Sequence, residues 1–125
     1  GIGVVDVRDL ADTHYSAGFT PGAGGRNIVS GHNSNFVEMG QTLLDKYGSE
    51  YPIPKSALPK WLLMLVGPFI NKSLSRRMIK NNVNVEWKAD NSKSVKELGA
   101  KYRPLKETME DSFQFLIDSG LVKKK

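Results

Sequence analysis

Apolar side chains recur at the spacing of an amphipathic helix in two stretches of the chain. One face comprises Phe36, Met39, Leu43, Leu44 and Tyr47, and the other comprises Leu105, Met109, Phe113, Leu116 and Ile117. Asn35 precedes the first stretch, with Glu38 three residues further on in a capping-box-like relation, and Pro104 precedes the second. Gly48 and Gly120 follow the two stretches. The pattern therefore predicts two helices, each with one buried face and defined ends.

A helix near the amino terminus is predicted to open at residues 8–9. It places four side chains on one side, namely Leu10, Ala11, His14 and Tyr15. His14 is therefore expected to pack on the helix. Gly18 and residues 21–25, Pro-Gly-Ala-Gly-Gly, are predicted to end the helix and to form a turn or loop. Asp6 and Asp9 flank the helix start, where carboxylates ordinarily serve as caps.

Further helices follow in the middle of the chain. Pro59 predicts the first turn of a helix that carries the apolar run at residues 61–66. Gly67 and Pro68 predict a break or kink in it. Residues 73–80 are predicted to form another helix.

A short helix over residues 92–98 is predicted from its flanking residues. Asp90 or Asn91 supplies the cap, and Gly99 ends the helix.

Three short strands complete the predicted elements. Residues 4–7 and 27–30 are β-type runs, and His32 is expected at the end of the second. Val83, Val85 and Trp87 alternate with polar residues, as in a half-buried strand. The order strand, helix, strand at the amino terminus indicates an α/β fold, rich in helix and with few short strands.

Composition limits the class of protein. A chain of 125 residues supports one domain, and 39% hydrophobic and 25% charged residues are globular values. Absence of cysteine excludes disulfides and thiolate metal sites, and it is consistent with a cytoplasmic protein. The apolar run at residues 61–70 is half the roughly 20 residues that a membrane span needs. No membrane span is expected.

Four segments follow one another in a particular order. They read Val-Asp-Val-Arg-Asp-Leu-Ala at residues 5–11, Gly-Arg-Asn-Ile-Val-Ser at 25–30, Asp-Asn-Ser-Lys through Leu-Gly at 90–99, and Tyr-Arg-Pro-Leu at 102–105. These four motif segments resemble the C-terminal portion of extended short-chain dehydrogenases/reductases, the NAD-dependent epimerase/dehydratase family. The branch they resemble most is that of the dihydroflavonol-4-reductase-like carbonyl reductases.

The resemblance implies a two-part enzyme. An N-terminal Rossmann half would bind NADP or NAD at a glycine-rich turn, and a smaller C-terminal half would close over a small carbonyl substrate. A Tyr-x-x-x-Lys pair on one helix would supply the proton, a nearby Ser or Thr would polarise the carbonyl, and the nicotinamide would supply hydride.

The resemblance also divides this chain. Residues 1–32 would contain elements that pack on the Rossmann half, and residues 33–125 would form the C-terminal substrate-domain lobe. The Rossmann nucleotide-binding core would lie outside the chain, because Gly1-Ile2-Gly3 reads as the middle of a protein. The partner of the chain would be that missing half or another copy. Val5, Leu10, Ile28 and Val29 are then expected to be partly exposed or covered by another chain.

The reactive residues of such an enzyme are not found in this sequence. The glycine cluster at residues 22–25 follows a helix and precedes a strand, the reverse of a dinucleotide fingerprint. Tyr51 to Lys55 contains two prolines, and Tyr102 to Lys106 begins before its helix, so neither places Tyr and Lys on one helical turn. No catalytic, cofactor-binding or metal-binding residue is assigned, and the chain alone is predicted not to be catalytic.

Four large side chains are candidates for the apolar wall of a substrate pocket or lid: Trp61, Met64, Phe69 and Trp87. Core packing is the more common role of such side chains.

Two alternatives stay open. One is a stand-alone small α/β binding module that uses the helix at residues 61–70 to grip a protein partner or a membrane surface. Exposure of Leu62, Leu63, Leu65 and Val66 would favour it. The other is an anion or nucleic-acid binder, since the net charge is +5 and basic residues cluster at 72–80 and in the tail at 123–125. No aromatic residues interleave with these lysines and arginines, as they would in a nucleic-acid-binding surface. A solvated helix face with a frayed tail is therefore the simpler interpretation. No nucleic-acid partner is expected.

Overall fold

The computed structural model describes residues 1–70, 75–83 and 85–125. Within these residues the fold is α/β and helix-rich, with one two-stranded sheet. The elements in chain order are β1 (Ile2–Val4), α1 (Val7–Phe19), β2 (His32–Ser34), α2 (Phe36–Gln41), α3 (Leu44–Tyr47), α4 (Lys60–Ile70), α5 (Arg76–Asn82), α6 (Ser92–Leu98) and α7 (Leu105–Asp118). The predicted helix-rich α/β class with few short strands is confirmed at this level.

The sheet is antiparallel, with Gly3 of β1 opposite Asn33 of β2. The strand predicted at residues 4–7 lies earlier, because Asp6 caps α1 and so ends the extended backbone. The strand predicted at residues 27–30 is wrong, and His32 begins β2 rather than ending a strand.

Side chains from α6 explain the missing strand. Asn91 Nδ2 donates to the Ser30 carbonyl at 2.6 Å. Lys93 Nζ donates to the carbonyls of Gly24 and Arg26 at 2.9 and 3.2 Å. The Asn91 bond satisfies the Ser30 oxygen of the predicted strand, and the Lys93 bonds hold the loop that precedes it.

A segment without regular secondary structure covers the sheet. The Trp87 ring lies against Gly3, where an added Cβ would come within 2.6 Å of ring atoms. The side chain of Asn33 donates from Nδ2 to the Ala89 carbonyl at 3.0 Å, and its Oδ1 accepts from the Ala89 backbone amide at 2.8 Å. The predicted strand at residues 83–87 is wrong for its described residues, since this segment packs on the sheet without joining it.

Helix α1 buries a polar face. Asp9 and Thr13 are its buried residues, while Ala11, His14 and Tyr15 are exposed and Leu10 is half-buried. The predicted face is therefore wrong, and so is Gly18 as a helix end, since α1 runs through it to Phe19. His14 Nδ1 lies 2.8 Å from the carbonyl oxygen of Leu10. The reversal arises because the buried Asp9 has a half-buried cationic partner, described below.

The two strongest predicted helical faces meet in the core. Leu43, Tyr47 and Tyr51 are buried. Partly buried hydrophobic side chains pack on them: Ile53, Met109, Phe113, Ile117 and Val122. The Tyr47 hydroxyl donates to Gln114 Oε1 at 3.0 Å and so ties α3 to α7.

The predicted helix over residues 36–47 is divided into α2 and α3. The Thr42 hydroxyl donates to the Met39 carbonyl at 2.7 Å, and such local bonds compete with continued helix. Asn35 caps α2 as predicted, accepting from the amides of Val37 and Glu38, both at 3.0 Å. Glu38 does not complete a capping box, because it accepts from the Ser34 hydroxyl instead.

Helix α4 runs through Gly67 and Pro68, so the predicted break is wrong. Pro68 lies in the last turn, where its missing amide removes a single backbone hydrogen bond. Ser75 caps α5 by accepting from the Met78 amide at 3.2 Å, and residues 73 and 74 of the predicted helix lie outside the described residues.

Helices α4 and α5 form a hairpin. Ile79 of α5 is fully buried, and Lys60 Nζ donates to the carbonyls of Lys80 and Val83 at 3.0 and 2.7 Å. Lys60 therefore satisfies carbonyl groups at the C-terminal end of α5, which would otherwise lack a donor.

The remaining predicted helix ends are confirmed. Asn91 occupies the N-cap position of α6, and Asp90 Oδ1 accepts from the Ser92 amide at 2.9 Å. Gly99 ends α6 in the left-handed conformation, with φ 63°. Gly120 has φ 68°, and the bonds from its own amide to Ile117 and from the Leu121 amide to Leu116 form a Schellman motif after α7.

The division between core and exposed positions on α2 and α3 predicts unequal effects of truncation. Leu43 is 5% exposed and Phe36 is 78% exposed. We expect Leu43→Ala to lower the free energy of unfolding by about 2–5 kcal/mol because it leaves a cavity. Phe36→Ala should change it by less than about 0.5 kcal/mol. Urea unfolding followed by circular dichroism measures both, and equal effects would contradict this packing.

Candidate functional site

The start of α1 holds a carboxylate that has an unusual number of donors. Asp6 is buried and accepts from the Arg8 amide at 2.9 Å, which caps the helix. The Arg8 side chain also donates to both carboxylate oxygens of Asp6, from Nε to Oδ1 at 2.9 Å and from Nη2 to Oδ2 at 2.7 Å. The same Arg8 Nη2 lies 2.8 Å from Asp111 Oδ2, so it links α1 to α7.

Arg103, which precedes α7, binds the carboxylates at the start of α1. Its Nη1 lies 2.7 Å from Asp9 Oδ1 and 3.3 Å from Asp6 Oδ1, and its backbone amide donates to Asp9 Oδ2 at 2.8 Å. Asp9 is buried, so its charge is balanced inside the protein. We call Asp6, Arg8, Asp9 and Arg103 the carboxylate–arginine cluster.

The cluster keeps Asp6 ionised. The hydrogen bond from the Arg8 side chain holds the pKa of Asp6 well below its usual range, against the opposing effect of burial. The same bond raises the pKa of Arg8. A carboxylate held ionised by bonded guanidinium groups is a weak proton acceptor, so the cluster is suited to holding structure rather than to acid–base catalysis.

An open cleft of about 410 Å³ lies beside the cluster. It is lined by Asp9, Asp12, Thr13, Ser16, Gly99, Ala100, Lys101, Tyr102 and Arg103. At its edge the Tyr102 hydroxyl lies 2.9 Å from Oγ of the fully buried Ser94.

Neither Tyr-x-x-x-Lys match forms a helical pair. Tyr102 precedes α7, and Lys106 Nζ bonds instead to Asp45 Oδ2 at 2.9 Å. Tyr51 is buried in the core, and Lys55 lies outside any helix. In neither case do the tyrosine and the lysine lie on one helical turn.

A second, smaller cavity of about 170 Å³ also borders α1 and shares Thr13 with the cleft. It is lined by Thr13, His14, Ala17, Gly25, Asn27, Val29 and Leu98. Asn27 Oδ1 is a buried atom there without a hydrogen-bond partner among the described residues.

The four motif segments meet in space. Asp6 and Asp9 of the first segment bind Arg103 of the fourth. Ser30 of the second accepts from Asn91 of the third. Each segment therefore contacts another that lies more than 60 residues away in the chain.

The four candidate wall residues lie in two places. Trp61 and Phe69 are 68% and 83% exposed on α4, and Met64 is half-buried there. Trp87 lies against Gly3 of β1. Trp61 and Phe69 are therefore not packed in the core. None of the four residues lines either of the two cavities described above. Their role as pocket wall stays a prediction.

Much apolar surface is uncovered. None of Val5, Leu10, Ile28 and Val29 is fully buried, and Ile28 is exposed, as predicted for this end of the chain. The accessible surface is 9007 Å², whereas a folded monomer of 13.9 kDa is expected to have about 6,700 Å². The chain thus exposes considerably more surface than its mass predicts.

Sequence reasoning missed the carboxylate–arginine cluster. It assigned Asp6 and Asp9 to capping, which holds for Asp6 alone. The available signal was that two acids at i and i+3 share one helical face and need a basic partner if buried. The identity of Arg103 as that partner, 94 residues from Asp9, was not contained in any local pattern.

Two further observations concern ions and membranes. Among residues 1–70, 75–83 and 85–125, no group of three or more His, Cys, Asp or Glu side chains is placed to hold a metal ion. Within the same ranges, no helix combines the length and hydrophobicity required to traverse a bilayer.

Comparison with protein-family models, with curated proteins and with solved structures gave no match for this chain.

The lowered pKa of Asp6 predicts a specific acid sensitivity. A carboxyl whose pKa is depressed on folding contributes stability above its unfolded pKa, about 4, and loses that contribution as the pH falls further. Asp6→Asn keeps a capping side chain but removes the charge. We expect the stability difference between wild type and Asp6→Asn to be constant from pH 7 to 5 and to shrink below pH 4. Urea unfolding at each pH measures it, and Asp12→Asn controls for removal of a carboxylate from α1. Parallel curves down to pH 2 would contradict the assignment.

Truncating Arg103 should destabilise the fold strongly. Arg103→Ala leaves Asp9 buried without a cation, which costs about 3 kcal/mol or more. Arg103→Lys should be intermediate, because an ammonium group cannot donate through the guanidinium fork. Lys101→Ala, at an exposed neighbouring position, is the matched control and should cost less than about 0.5 kcal/mol. Equal costs for Arg103→Ala and Lys101→Ala in urea unfolding would show that the cluster contributes little.

Proposed function

We propose that the chain is the C-terminal substrate-domain lobe of an NAD(P)H-dependent carbonyl reductase, similar to the dihydroflavonol-4-reductase-like branch of the extended short-chain dehydrogenases/reductases. In this proposal the lobe supplies part of the substrate enclosure. The dinucleotide site and the proton-donating tyrosine belong to a Rossmann half. The chain alone is not an enzyme.

The observation that carries the proposal is the spatial meeting of the four motif segments. The resemblance rests on the residues of these segments and on their order. In the structure, Arg103 contacts Asp6 and Asp9, and Asn91 contacts Ser30. Buried charges and backbone oxygens are paired in folded proteins, and here the partners come from the segments that carry the resemblance. The contacts between the motif segments thus stabilise the tertiary structure of the proposed lobe.

The uncovered surface is the second support. Ile28 is exposed on the loop before β2, and Tyr15 and Phe19 form a ring pair on α1 with centroids 4.6 Å apart and both rings exposed. These positions lie within residues 1–32, the part that the resemblance assigns to contact with the Rossmann half. Apolar patches of this kind mark interaction surfaces.

The proposal gives the carboxylate–arginine cluster a role in positioning. It fixes the start of α1, which carries the uncovered face, relative to α7, whose inner face forms the core. The cluster thereby connects the surface facing the proposed Rossmann half to the body of the substrate lobe. No residue of the cluster is assigned to the reacting atoms.

The decisive test compares the chain with the longer product of its reading frame. The longer product should contain a glycine-rich strand-to-helix turn and a helical Tyr-x-x-x-Lys. NADPH or NADH at a hundred times its dissociation constant should stabilise that product by about 2.7 kcal/mol, whereas the 125-residue chain should show no thermal shift. An upstream segment without these features, or carbonyl turnover by the 125-residue chain alone, would overturn the proposal.

The surface assignment is tested separately. A separately expressed upstream half should bind the chain, and Ile28→Asp should prevent this, because it places a charge in the proposed interface. Phe115→Asp on α7 is the matched control, since Phe115 is also exposed but lies outside residues 1–32. Size-exclusion chromatography of the mixed halves measures the complex. Equal losses from both variants would contradict the assignment of residues 1–32.

A further inference from the structure

The hairpin of α4 and α5 carries an apolar stripe that no part of the described protein covers. Trp61, Leu65 and Phe69 recur every fourth residue, on one face of α4, and are 68%, 56% and 83% exposed. Leu62, Leu63, Met64 and Val66 of α4 are partly buried, and the helix contacts α5, whose Ile79 is fully buried. The stripe is therefore not a poorly packed core but the outer face of the hairpin.

The same segment carries the positive charge of the protein. Residues 51–85 contain six basic residues, Lys55, Lys60, Lys72, Arg76, Arg77 and Lys80, and no acidic residue. The whole chain has a net charge of +5, so the remaining residues together have a net charge of −1. The basic character of the protein thus resides entirely in this stretch.

The exposed bases of α5 are not paired. Arg76, Arg77 and Lys80 are exposed, and none of them makes an ion pair with a carboxylate of the described residues. In contrast, Lys106 pairs with Asp45, and Lys124 pairs with Glu50. Lys124 in the tail therefore contacts the body of the protein, and the expected frayed tail is not observed there. The cations of α5, in contrast, are accessible to anionic groups of a binding partner.

We propose that the α4–α5 hairpin binds the surface of a bilayer that contains anionic lipids. Trp61, Leu65 and Phe69 would enter the interface between headgroups and acyl chains, and Arg76, Arg77 and Lys80 would contact lipid phosphates. An apolar helical face with tryptophan and phenylalanine beside basic residues is the pattern of an in-plane membrane helix. The 11 residues of α4 are too few to span a bilayer, so the helix lies along its surface.

Other occupants of the stripe agree less well with the charges. A second copy of the hairpin would bring together two surfaces that each lack acidic residues, and their repulsion opposes pairing. The proposed Rossmann half is expected at residues 1–32, which leaves the hairpin free. The membrane proposal does not rest on the reductase proposal, and its test uses neither a cofactor nor a carbonyl compound.

The test is flotation of the full chain with vesicles. We expect the chain to float with vesicles of phosphatidylcholine and phosphatidylglycerol, to bind pure phosphatidylcholine vesicles much more weakly, and to dissociate as salt is raised. Trp87→Phe leaves Trp61 as the sole tryptophan, and its emission should shift to shorter wavelength on addition of the anionic vesicles.

Matched variants separate the stripe and the charges from general effects. Arg76→Gln with Arg77→Gln should weaken partitioning to anionic vesicles about thirtyfold, from two charges near the surface. Trp61→Ser with Phe69→Ser should weaken it by at least about tenfold. Phe115→Ser and Lys101→Gln, at exposed positions outside the hairpin, should have no effect.

Three results would overturn the proposal. The first is the absence of flotation with anionic vesicles while circular dichroism shows a folded chain, which would favour an acidic protein as occupant. The second is equal binding to neutral and anionic vesicles. The third is equal loss of binding in the hairpin variants and in their matched controls. All substituted positions are exposed, so the variants are expected to fold.

Discussion

Two buried carboxylates near the beginning of the chain require an arginine near its end. Asp6 and Asp9 lie one turn apart at the start of α1, and Arg103 reaches both of them. Burying Asp9 without a cation would destabilise the protein strongly, so the position of α1 depends on Arg103 lying beside it. The polar inner face of α1 follows from this requirement, and so does the outward position of its apolar side chains. The cleft beside Asp9 and Arg103 is the space left around that ion pair.

The elements that the sequence predicted well are those whose determinants are local. Asn35, Gly99 and Gly120 mark helix ends through bonds and backbone angles that involve only their neighbours. The apolar faces around Tyr47 and Phe113 are periodic, and they meet in the core because each lacks another partner.

The errors arose where a distant residue decides the structure. Residues 27–30 have the composition of a strand, but Asn91 occupies the backbone oxygen of Ser30, and Lys93 binds the carbonyls of Gly24 and Arg26 just before them. The face of α1 was assigned by hydrophobicity, whereas Asp9 and a partner 94 residues away determine it. The same limit applied to the site: the motif segments were visible in the sequence, but their mutual contacts were not. Burial of the α4 stripe was expected from its composition, yet the charges around it favour an outside partner.

The cover over the sheet bears on how the chain folds. Gly3 and Asn33 lie on β1 and β2, but the residues that pack on them, Trp87 and Ala89, follow more than 50 positions later. Contacts of such long range raise the contact order of the protein, and loop closure must precede any gain from them. During synthesis on a ribosome, β1 and β2 would lack their contacts with Trp87 and Ala89 until that later segment had emerged. Slow closure of the amino-terminal region, rather than formation of its helices, would then set the pace of folding.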